Sequence, residues 1–391
     1  MASDNPNRPL SRDRPVQRET YLDWNATAPL RPEAATAMSA VLARCGNPSS
    51  VHRWGRVARQ AVERARESVA ALLGNVNPDG VVFVSGGTEA NHLALFGSGR
   101  ERVLVSDVEH DSVRHAFPGS ETIPVDRHGV VAIDALDRLL AADERPALVS
   151  VMYANNETGV IQPVADIAAV THEHGALFHC DAVQAAGKLL LDAEEIGADL
   201  VGLSAHKLGG PPGIGALVVT GGLDLAPLFR GGRQERGRRA GTENLPGIVG
   251  FAAAATAALE EIGVYDRVRA LRDQLEERIA KTAPDAVVLG AAAPRLPNTA
   301  AIAMPGVAAE TQVIALDLEG VMVSSGAACS SGKVGPSHVL AAMRVEPELA
   351  GSTIRVSLGW NSSEEDIAHF LQAWTALYRR RRGVTEGARA A

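Results

Sequence analysis

A lysine, Lys207, stands between a short apolar run, Asp199–Leu203, and a turn rich in glycine and proline, Leu208–Gly213. Because glycine and proline disfavour a continuing helix, this pattern predicts that the lysine is held near the end of a strand. An amine held there, with few solvating side chains beside it, could form a Schiff base with a carbonyl compound. A lysine in a glycine-rich loop is more often a solvated surface cation, so this hypothesis depends on what the rest of the chain supplies.

The chain has three cysteines in different surroundings. Cys180 falls within an apolar run, which is typical of an inert buried thiol, and Cys45 has no chemical neighbours in the sequence. Cys329 lies among the small residues of Ser324–Gly332, which cannot bury it, so we predict a reactive thiol. The three are far apart and form no CxxC pattern, so we expect no disulfide framework and no metal site.

Strand and helix patterns alternate over the first half of the chain. Two helices are predicted first, one from about Pro32 and one over Arg56–Leu73, where apolar residues recur at helical spacing. Short apolar runs then predict strands at Val81–Ser85, Arg102–Ser106, Ala147–Tyr153, Ala176–Cys180 and Asp199–Leu203. This alternation predicts an α/β fold with right-handed crossovers and a mainly parallel sheet.

Polar residues follow each of these predicted strands, and ligands gather at the carboxyl ends of parallel strands. Each has an ordinary reading when taken singly, such as a helix cap, a turn former or a hydrogen-bonded surface histidine. Their convergence on one edge of the sheet is what predicts a site. The residues are Thr88, Glu109–His110, Asn155–Glu157, Asp181 with Gln184, and Ser204–Lys207.

The turn Gly86–Gly87 joins a predicted strand to a predicted helix, so its backbone N–H groups could bind an anion. It has neither the Gly-Lys-Ser/Thr of a Walker loop nor the spacing of a dinucleotide-binding loop. A plain strand-to-helix turn remains an equal alternative from the sequence of this turn alone.

Charge and composition exclude several classes of partner. The formal net charge of −8 disfavours a general nucleic-acid-binding protein, which usually has a basic excess. No run approaches the ~20 apolar residues of a membrane span, and the first residues contain no apolar signal segment. We therefore expect a cytoplasmic protein whose partners include neither nucleic acid nor a membrane.

The sequence outside these strands and helices predicts a leader, a basic loop and a second α/β unit. Residues 1–19 are polar and without periodicity, so we predict a disordered leader. The basic loop, residues 231–242, could be solvated or could reach a phosphate or a neighbouring subunit. An alanine-rich helix is predicted from about Ile248 to Lys281, and strands and helices follow it. We predict a large domain over residues 20–255 and a small domain over 256–391.

Taken in order, several motifs give the sequence a recognisable pattern. It resembles the pyridoxal-phosphate-dependent cysteine desulfurases of the nitrogen-fixation and iron–sulfur-assembly type, which are class V aminotransferases of fold type I. The resemblance implies a large domain with a mainly parallel seven-stranded sheet flanked by helices, and a smaller C-terminal α/β domain that carries the Cys329 loop. The motifs are Tyr21–Thr27, Asn47–His52, Ser85–Asn91, Asn155–Gly159, His179–Gln184, Ser204–Lys207, Arg239–Thr242 and Ser325–Cys329.

The resemblance also implies a role for each site residue. Lys207 would bind pyridoxal 5'-phosphate covalently and move protons at the substrate, while Asp181 would pair with the pyridine nitrogen. His110 would stack on the ring and assist proton transfer, and Cys329 would be the nucleophile that takes the sulfur. The other implied contacts are Gln184 with the ring oxygen, Asn156 with cofactor and substrate, Arg355 with the substrate carboxylate, and Gly87, Thr88, Ser204, His206 and the partner subunit's Thr242 with the phosphate.

The implied activity is a homodimeric desulfurase that converts L-cysteine to L-alanine and leaves sulfur on Cys329 as a persulfide. A sulfur-acceptor protein of unknown identity would then receive it, for iron–sulfur cluster or other thio-cofactor biosynthesis. Two alternatives remain open from the sequence. One is a selenocysteine lyase or another pyridoxal-phosphate lyase on the same scaffold, and the other is a sulfur-carrier or assembly partner without turnover.

Overall fold

The structure is a computed structural model, and it describes residues 18–74, 76–326 and 336–389, with only the backbone of residue 382 and residues 384–389. The strands in chain order are β1 (Thr20–Tyr21), β2 (Val81–Val84), β3 (Arg102–Ser106), β4 (Glu121–Ile123), β5 (Ala147–Met152), β6 (Leu177–Asp181), β7 (Leu200–Ser204), β8 (Gly215–Val219), β9 (Val287–Leu289), β10 (Thr299–Ala303), β11 (Val321–Met322), β12 (Ser324–Ser325) and β13 (Thr353–Ser357). The helices are α1 (Pro32–Leu42), α2 (Arg53–Ala70), α3 (Gly87–Gly97), α4 (Asp111–Arg114), α5 (Ile133–Ala141), α6 (Val164–Glu173), α7 (Ala193–Ile196), α8 (Leu245–Glu260), α9 (Val264–Thr282), α10 (Ala309–Leu318), α11 (His338–Ala342), α12 (Pro347–Ala350) and α13 (Glu364–Arg389).

The central sheet has seven strands in the order β2-β8-β7-β6-β5-β3-β4. Its strands are parallel except β8, which pairs antiparallel with both β2 and β7. The five strands that the sequence predicts, β2, β3, β5, β6 and β7, are buried along almost their whole length, which explains their continuous apolar runs. The expected fold class, a mainly parallel seven-stranded sheet flanked by helices, is confirmed.

A second set of elements follows the central sheet in the chain. Strands β12, β13, β10 and β9 form an antiparallel sheet in that order, while β1 and β11 form a short parallel pair. Their core contains Leu22 from the start of the chain together with Leu275, Ile302 and Trp374. The N-terminal strand thus packs with the C-terminal elements. The boundary at residues 255 and 256 lies inside α8 and stays a prediction.

The single helix predicted from about Ile248 to Lys281 is wrong, because the chain bends there. Helix α8 ends at Glu260 and α9 begins at Val264, with an angle of 74° between them. Gly263 lies in this break and precedes the first residue of α9, and glycine is among the poorest helix formers. Taken together across the bend, α8 and α9 have the length and composition of a membrane span, whereas no single helix among the described residues does.

Candidate active site

A cavity of about 350 Å³ lies at the carboxyl edge of the central sheet. This volume is in the range of about 300–1,000 Å³ that is typical of small-molecule sites. The polypeptide places ten of the predicted site residues around it, from five strand ends of the central sheet and from the C-terminal sheet. They are Gly87, Thr88, His110, Asn156, Asp181, Gln184, Ser204, His206, Lys207 and Arg355.

Lys207 ends a 3-10 turn, Ala205–Lys207, that directly follows β7. Its Nζ donates hydrogen bonds to the backbone oxygens of Asn25 (2.6 Å) and Ala26 (2.7 Å). The sequence signal was correct about the local structure, since the lysine does stand at the end of a strand. The two carbonyls come from the N-terminal segment, which a local pattern around Lys207 does not reveal.

Asp181 ends β6 and belongs to a chain of polar contacts that reaches His110. Asn91 Nδ2 donates to Asp181 Oδ2 (2.8 Å) and to Ser112 Oγ (2.9 Å). His110 is the N-cap of α4, and its Nδ1 lies 2.8 Å from Ser112 Oγ and accepts from Ser112 N (3.1 Å). Because Nδ1 accepts these contacts, the Nε2 of a neutral His110 carries the proton. The network fixes a carboxylate and an imidazole on the same cavity.

The N-terminus of α3 forms an uncapped group of backbone N–H donors beside the cavity. Gly86 precedes the helix and has no side chain with which to cap it, and Gly87 and Thr88 are its first residues. A Cβ on Gly87 would lie 3.1 Å from Val183 Cγ2, so glycine lets the backbone approach the neighbouring turn. Such a helix end favours an anionic ligand.

Ser204 lies next to this helix end, since a Cβ on Gly87 would be 3.6 Å from Ser204 Cβ, and His206 lines the same cavity. Burial, with a smaller contribution from the Lys207 cation, lowers the pKa of His206 to about 4. His206 is therefore neutral at pH 7 and can serve an anion as a hydrogen-bond donor, with its Nδ1 3.2 Å from Thr27 Oγ1.

Arg355 is buried on β13, at 2% exposure, and supplies a cation to the cavity. Its Nη2 donates to Asp23 Oδ1 (2.6 Å) and its Nη1 to the backbone oxygen of Asn156 (3.2 Å). Its Nε has no hydrogen-bond partner among the described residues. A guanidinium with donor capacity left in a cavity suits a carboxylate ligand.

One predicted site residue that the structure describes does not line this cavity. Thr242 is exposed in the basic loop and does not line the cavity of its own chain. Cys329 lies outside the described residues. Ser337, just beyond that gap, donates from its Oγ to Glu157 Oε2 (2.6 Å), and burial raises the pKa of Glu157 to about 7.

Several residues of the site were not assigned roles from the sequence. Asn25 and Asn91 stand inside the motifs Tyr21–Thr27 and Ser85–Asn91, so a signal for them was present, but their partners lie far away in the chain. Ser112 carried no signal beyond its place two residues after His110. All three line the cavity and contact predicted site residues.

The donor set determines the chemistry that the cavity can support. An amine, a carboxylate and an imidazole line the same cavity as an anion-binding helix end and a guanidinium. This set fits a phosphorylated carbonyl cofactor with a basic ring nitrogen, together with a substrate that carries a carboxylate. Among the described residues, no group of three or more histidine, cysteine, aspartate or glutamate side chains could hold a metal ion.

Comparisons with known proteins agree on one family. The aminotransferase class-V family matches residues 20–370. A cysteine desulfurase IscS of Dictyoglomus turgidum is 39% identical and covers 95% of this chain and 97% of its own. A cysteine desulfurase of Cereibacter sphaeroides is 45% identical over 88% of this chain and 92% of its own. The crystal structure of a NifS-like protein from Rickettsia africae has a TM-score of 0.86 and 34% identity, over 93% of this chain and all of that one.

Proposed function

The chain belongs to the class-V aminotransferase family and, within it, to the cysteine desulfurases, and from this premise we propose how its residues convert L-cysteine to L-alanine and transfer the sulfur to Cys329. The observation that carries the proposal is the convergence of Lys207, Asp181 and His110 on one cavity. The sulfur then passes to an acceptor protein for iron–sulfur cluster or other thio-cofactor biosynthesis.

The cofactor of this site is pyridoxal 5'-phosphate, which supplies an electron sink for charge that develops on the substrate carbons. Asp181 holds a positive charge on the ring nitrogen, and Asn91 in turn holds Asp181. The N–H groups at Gly87 and Thr88, with Ser204 and neutral His206, bind the phosphate. Gln184 donates to the ring oxygen.

The remaining side chains bind the substrate and move its protons. Arg355 binds the substrate carboxylate, and Asn156 contacts both substrate and cofactor. Lys207 takes the proton from the substrate α-carbon and returns it, because its amine lies on the same cavity. The Nε2–H group of His110 donates a hydrogen bond to the sulfur of Cys329 and stabilises its thiolate, since an ordinary cysteine, with a pKa of about 8.5, is mostly protonated at neutral pH.

Sulfur transfer occurs when the Cys329 thiolate forms a bond to the sulfur of the substrate. The carbon–sulfur bond of the substrate breaks, its electron pair stays on the carbon, and that carbon takes a proton. Alanine then leaves and Cys329 retains the persulfide. The step needs no external oxidant or reductant.

The working molecule in this proposal is a cytoplasmic homodimer. The two free cysteines that the structure describes, Cys45 and Cys180, suit a reducing compartment. Large apolar side chains are exposed on and near α1 and α2, namely Leu42, Val51, Trp54 and Val57, and two of them, Trp54 and Val57, line one groove. A second copy would cover this face, and the exposed Thr242 could then reach the partner's phosphate site.

Incubation with L-cysteine and pyridoxal phosphate tests the proposal through alanine release and the mass of the Cys329 peptide. Lys207→Ala should lose the yellow colour of the bound cofactor and about 10²–10⁴-fold of its rate, the range for a lost proton-transfer group. Cys329→Ala should keep the colour and stop producing alanine. Wild type should gain one sulfur atom on the Cys329 peptide.

Cys45→Ala is the matched control, because Cys45 is a free, exposed cysteine on another part of the chain. It should release alanine at the wild-type rate. Unchanged alanine release by Cys329→Ala would contradict the persulfide step, and a colour retained by Lys207→Ala would contradict the covalent role of Lys207.

A further inference from the structure

Lys188 is a fully buried lysine beneath the cavity, and the reaction proposed above does not use it. It is 3% exposed and does not line the cavity. Its Nζ donates to Gln184 Oε1 (2.8 Å) and to Asn25 Oδ1 (3.0 Å). A buried lysine is costly unless its donors are satisfied, so its place next to two cavity residues calls for an explanation.

The charges around Lys188 do not explain its burial. It forms no ion pair among the described residues, and the charged groups that act on it are the cations of Lys207 and Arg355. Burial, more than these cations, lowers the pKa of Lys188 well below its usual value. A neutral amine has two N–H donors, which matches its two amide oxygen acceptors.

An amine that only donates imposes an orientation on the two carboxamides. Gln184 must turn Oε1 toward Lys188, so its Nε2 points away, and one of its N–H groups donates to the backbone oxygen of Asn25 (3.0 Å). The other N–H group of Gln184 is then available to the cavity that Gln184 lines. Without Lys188 the amide could flip and present its oxygen instead.

Asn25 depends less on this lysine than Gln184 does. Asn298 Nδ2 also donates to Asn25 Oδ1 (3.1 Å), while Asn25 Nδ2 donates to Thr299 Oγ1 (2.8 Å) and to the backbone oxygen of Asn156 (3.2 Å). Its side chain would therefore keep its position without Lys188. The same residue offers its backbone oxygen to both Lys207 and Gln184.

We infer that Lys188 is a positioning residue that fixes the Gln184 carboxamide with its N–H₂ group toward the cofactor. The inference rests on the proposed function, because it needs pyridoxal phosphate in the cavity. A donor to the ring oxygen stabilises the anionic form of that oxygen and so lowers the pKa of the cofactor. Lys188 would tune the cofactor through Gln184, without touching it.

The test is a pH titration of the absorbance of the bound cofactor, with the affinity of the apoprotein for pyridoxal phosphate as a second measurement. Lys188→Met removes the donors and keeps the length of the side chain. It should raise the pKa of the absorbance change by about one unit and weaken cofactor binding about tenfold, as expected for one lost hydrogen bond to a charged group. Lys281→Met, at an exposed lysine on α9, should titrate as wild type.

A double-mutant cycle with Gln184→Met separates orientation from charge. If Lys188 acts through Gln184, the double variant should show no larger shift than Gln184→Met alone. Shifts that add would mean that Lys188 acts on the cofactor by its own field, and the inference would be wrong. The inference would also be wrong if the cofactor absorbance of Lys188→Met changed with pH as it does in wild type.

Lys188→Gln covers the case in which the methionine variant does not fold. It keeps an N–H₂ donor for Gln184 Oε1, so its titration should lie closer to wild type than to Gln184→Met. If the titration of Lys188→Gln were shifted as far as that of Gln184→Met, the inference would be contradicted. Failure of the wild-type protein to take up pyridoxal phosphate would instead overturn the proposed function, and this inference with it.

Discussion

Glu109, the residue before His110, is the most strongly buried acid of the site region. Its Oε1 accepts from Ser106 Oγ (2.6 Å) and from Met152 N (2.7 Å), while Oε2 has no partner among the described residues. Burial, assisted by the nearby charge of Asp181, raises the pKa of Glu109 to about 8. The residue is therefore mainly protonated at pH 7.

This raised pKa predicts how stability changes with pH. Between about pH 4.5 and pH 8 the unfolded chain releases a proton that folded Glu109 retains, so the free energy of unfolding falls as pH rises. Glu109→Gln keeps the shape and the two accepted hydrogen bonds but cannot ionise. We expect it to match wild type near pH 5 in urea denaturation and to exceed it by about 2 to 4 kcal/mol at pH 9, at about 1.4 kcal/mol for each unit of pKa shift.

Glu67→Gln, at an exposed position on α2, is the control and should leave the pH dependence unchanged. Glu157, with a pKa of about 7, also makes the free energy of unfolding fall as pH rises, and this contribution is the same in every variant. If the free energy of unfolding changed with pH equally in wild type and Glu109→Gln, the Glu109 carboxyl would be ionised in the folded protein.

At the scale of single residues, the sequence predicted the residues that carry the chemistry better than it predicted the residues that hold them in position. Lys207, Asp181 and His110 follow predicted strands, and the topology of a parallel sheet brings strand ends together. Lys188 is recognisable only from contacts with side chains that other segments bring to the same place, and the role of Asn91, although it lies inside a motif, depends on such contacts as well. Such contacts depend on rotamers and packing, which no local spacing encodes.

At the scale of elements, the sequence predicted five of the six strands of the central sheet that are buried along almost their whole length. The runs at Arg102–Ser106 and Ala147–Tyr153 match β3 and β5 within one residue. Strands β4 and β8 were missed from the local pattern. β4 is a partly exposed edge strand of three residues, and β8 follows a glycine- and proline-rich turn that was interpreted as loop. The Gly263 bend was missed because the apolar pattern continues across it.

The basic loop is attached to α2 and to the central sheet through buried Glu235, which makes it a testable element. Arg66 of α2 donates to both carboxylate oxygens of Glu235 (2.8 and 3.2 Å), and Phe83 N in β2 donates to Oε2 as well (2.9 Å). The loop turns sharply here, with positive φ at Glu235 (46°) and Arg236 (58°). These contacts therefore hold Glu235 in place, and the segment from Glu235 to Thr242 follows it.

Glu235→Ala should destabilise the protein by about 3 to 5 kcal/mol, because it leaves the Arg66 guanidinium buried without its partner. The adjacent Arg236→Ala is the matched control. Arg236 pairs with Asp79 (2.5 Å) at 42% and 60% side-chain exposure, so its loss should cost about 0 to 1 kcal/mol. Urea denaturation measures both, and similar losses would show that the burial of the Arg66 pair is unimportant.

For the whole molecule, the face defined by Leu42, Val51, Trp54 and Val57 is the feature that a single chain leaves unexplained. Val51 is 84% exposed and Trp54 55%, and a groove of about 280 Å³ beside them is lined by Trp54, Val57, Leu245 and Val249 among others. Large apolar side chains grouped on a surface are typical of an interface. We propose a second copy as the occupant, because it would also give Thr242 a function.

If the proposed homodimer forms through this face, Trp54→Glu should convert it to a monomer in sedimentation experiments, because the variant places a charge in an apolar contact. The monomer should also bind pyridoxal phosphate more weakly, since Thr242 of the other chain no longer contributes to the phosphate site. Ile314→Glu is the matched control: Ile314 is 63% exposed on α10, which packs with the C-terminal elements, and the variant should stay dimeric. A dimeric Trp54→Glu with unchanged cofactor affinity would place the subunit contact elsewhere and remove Thr242 from the partner's site.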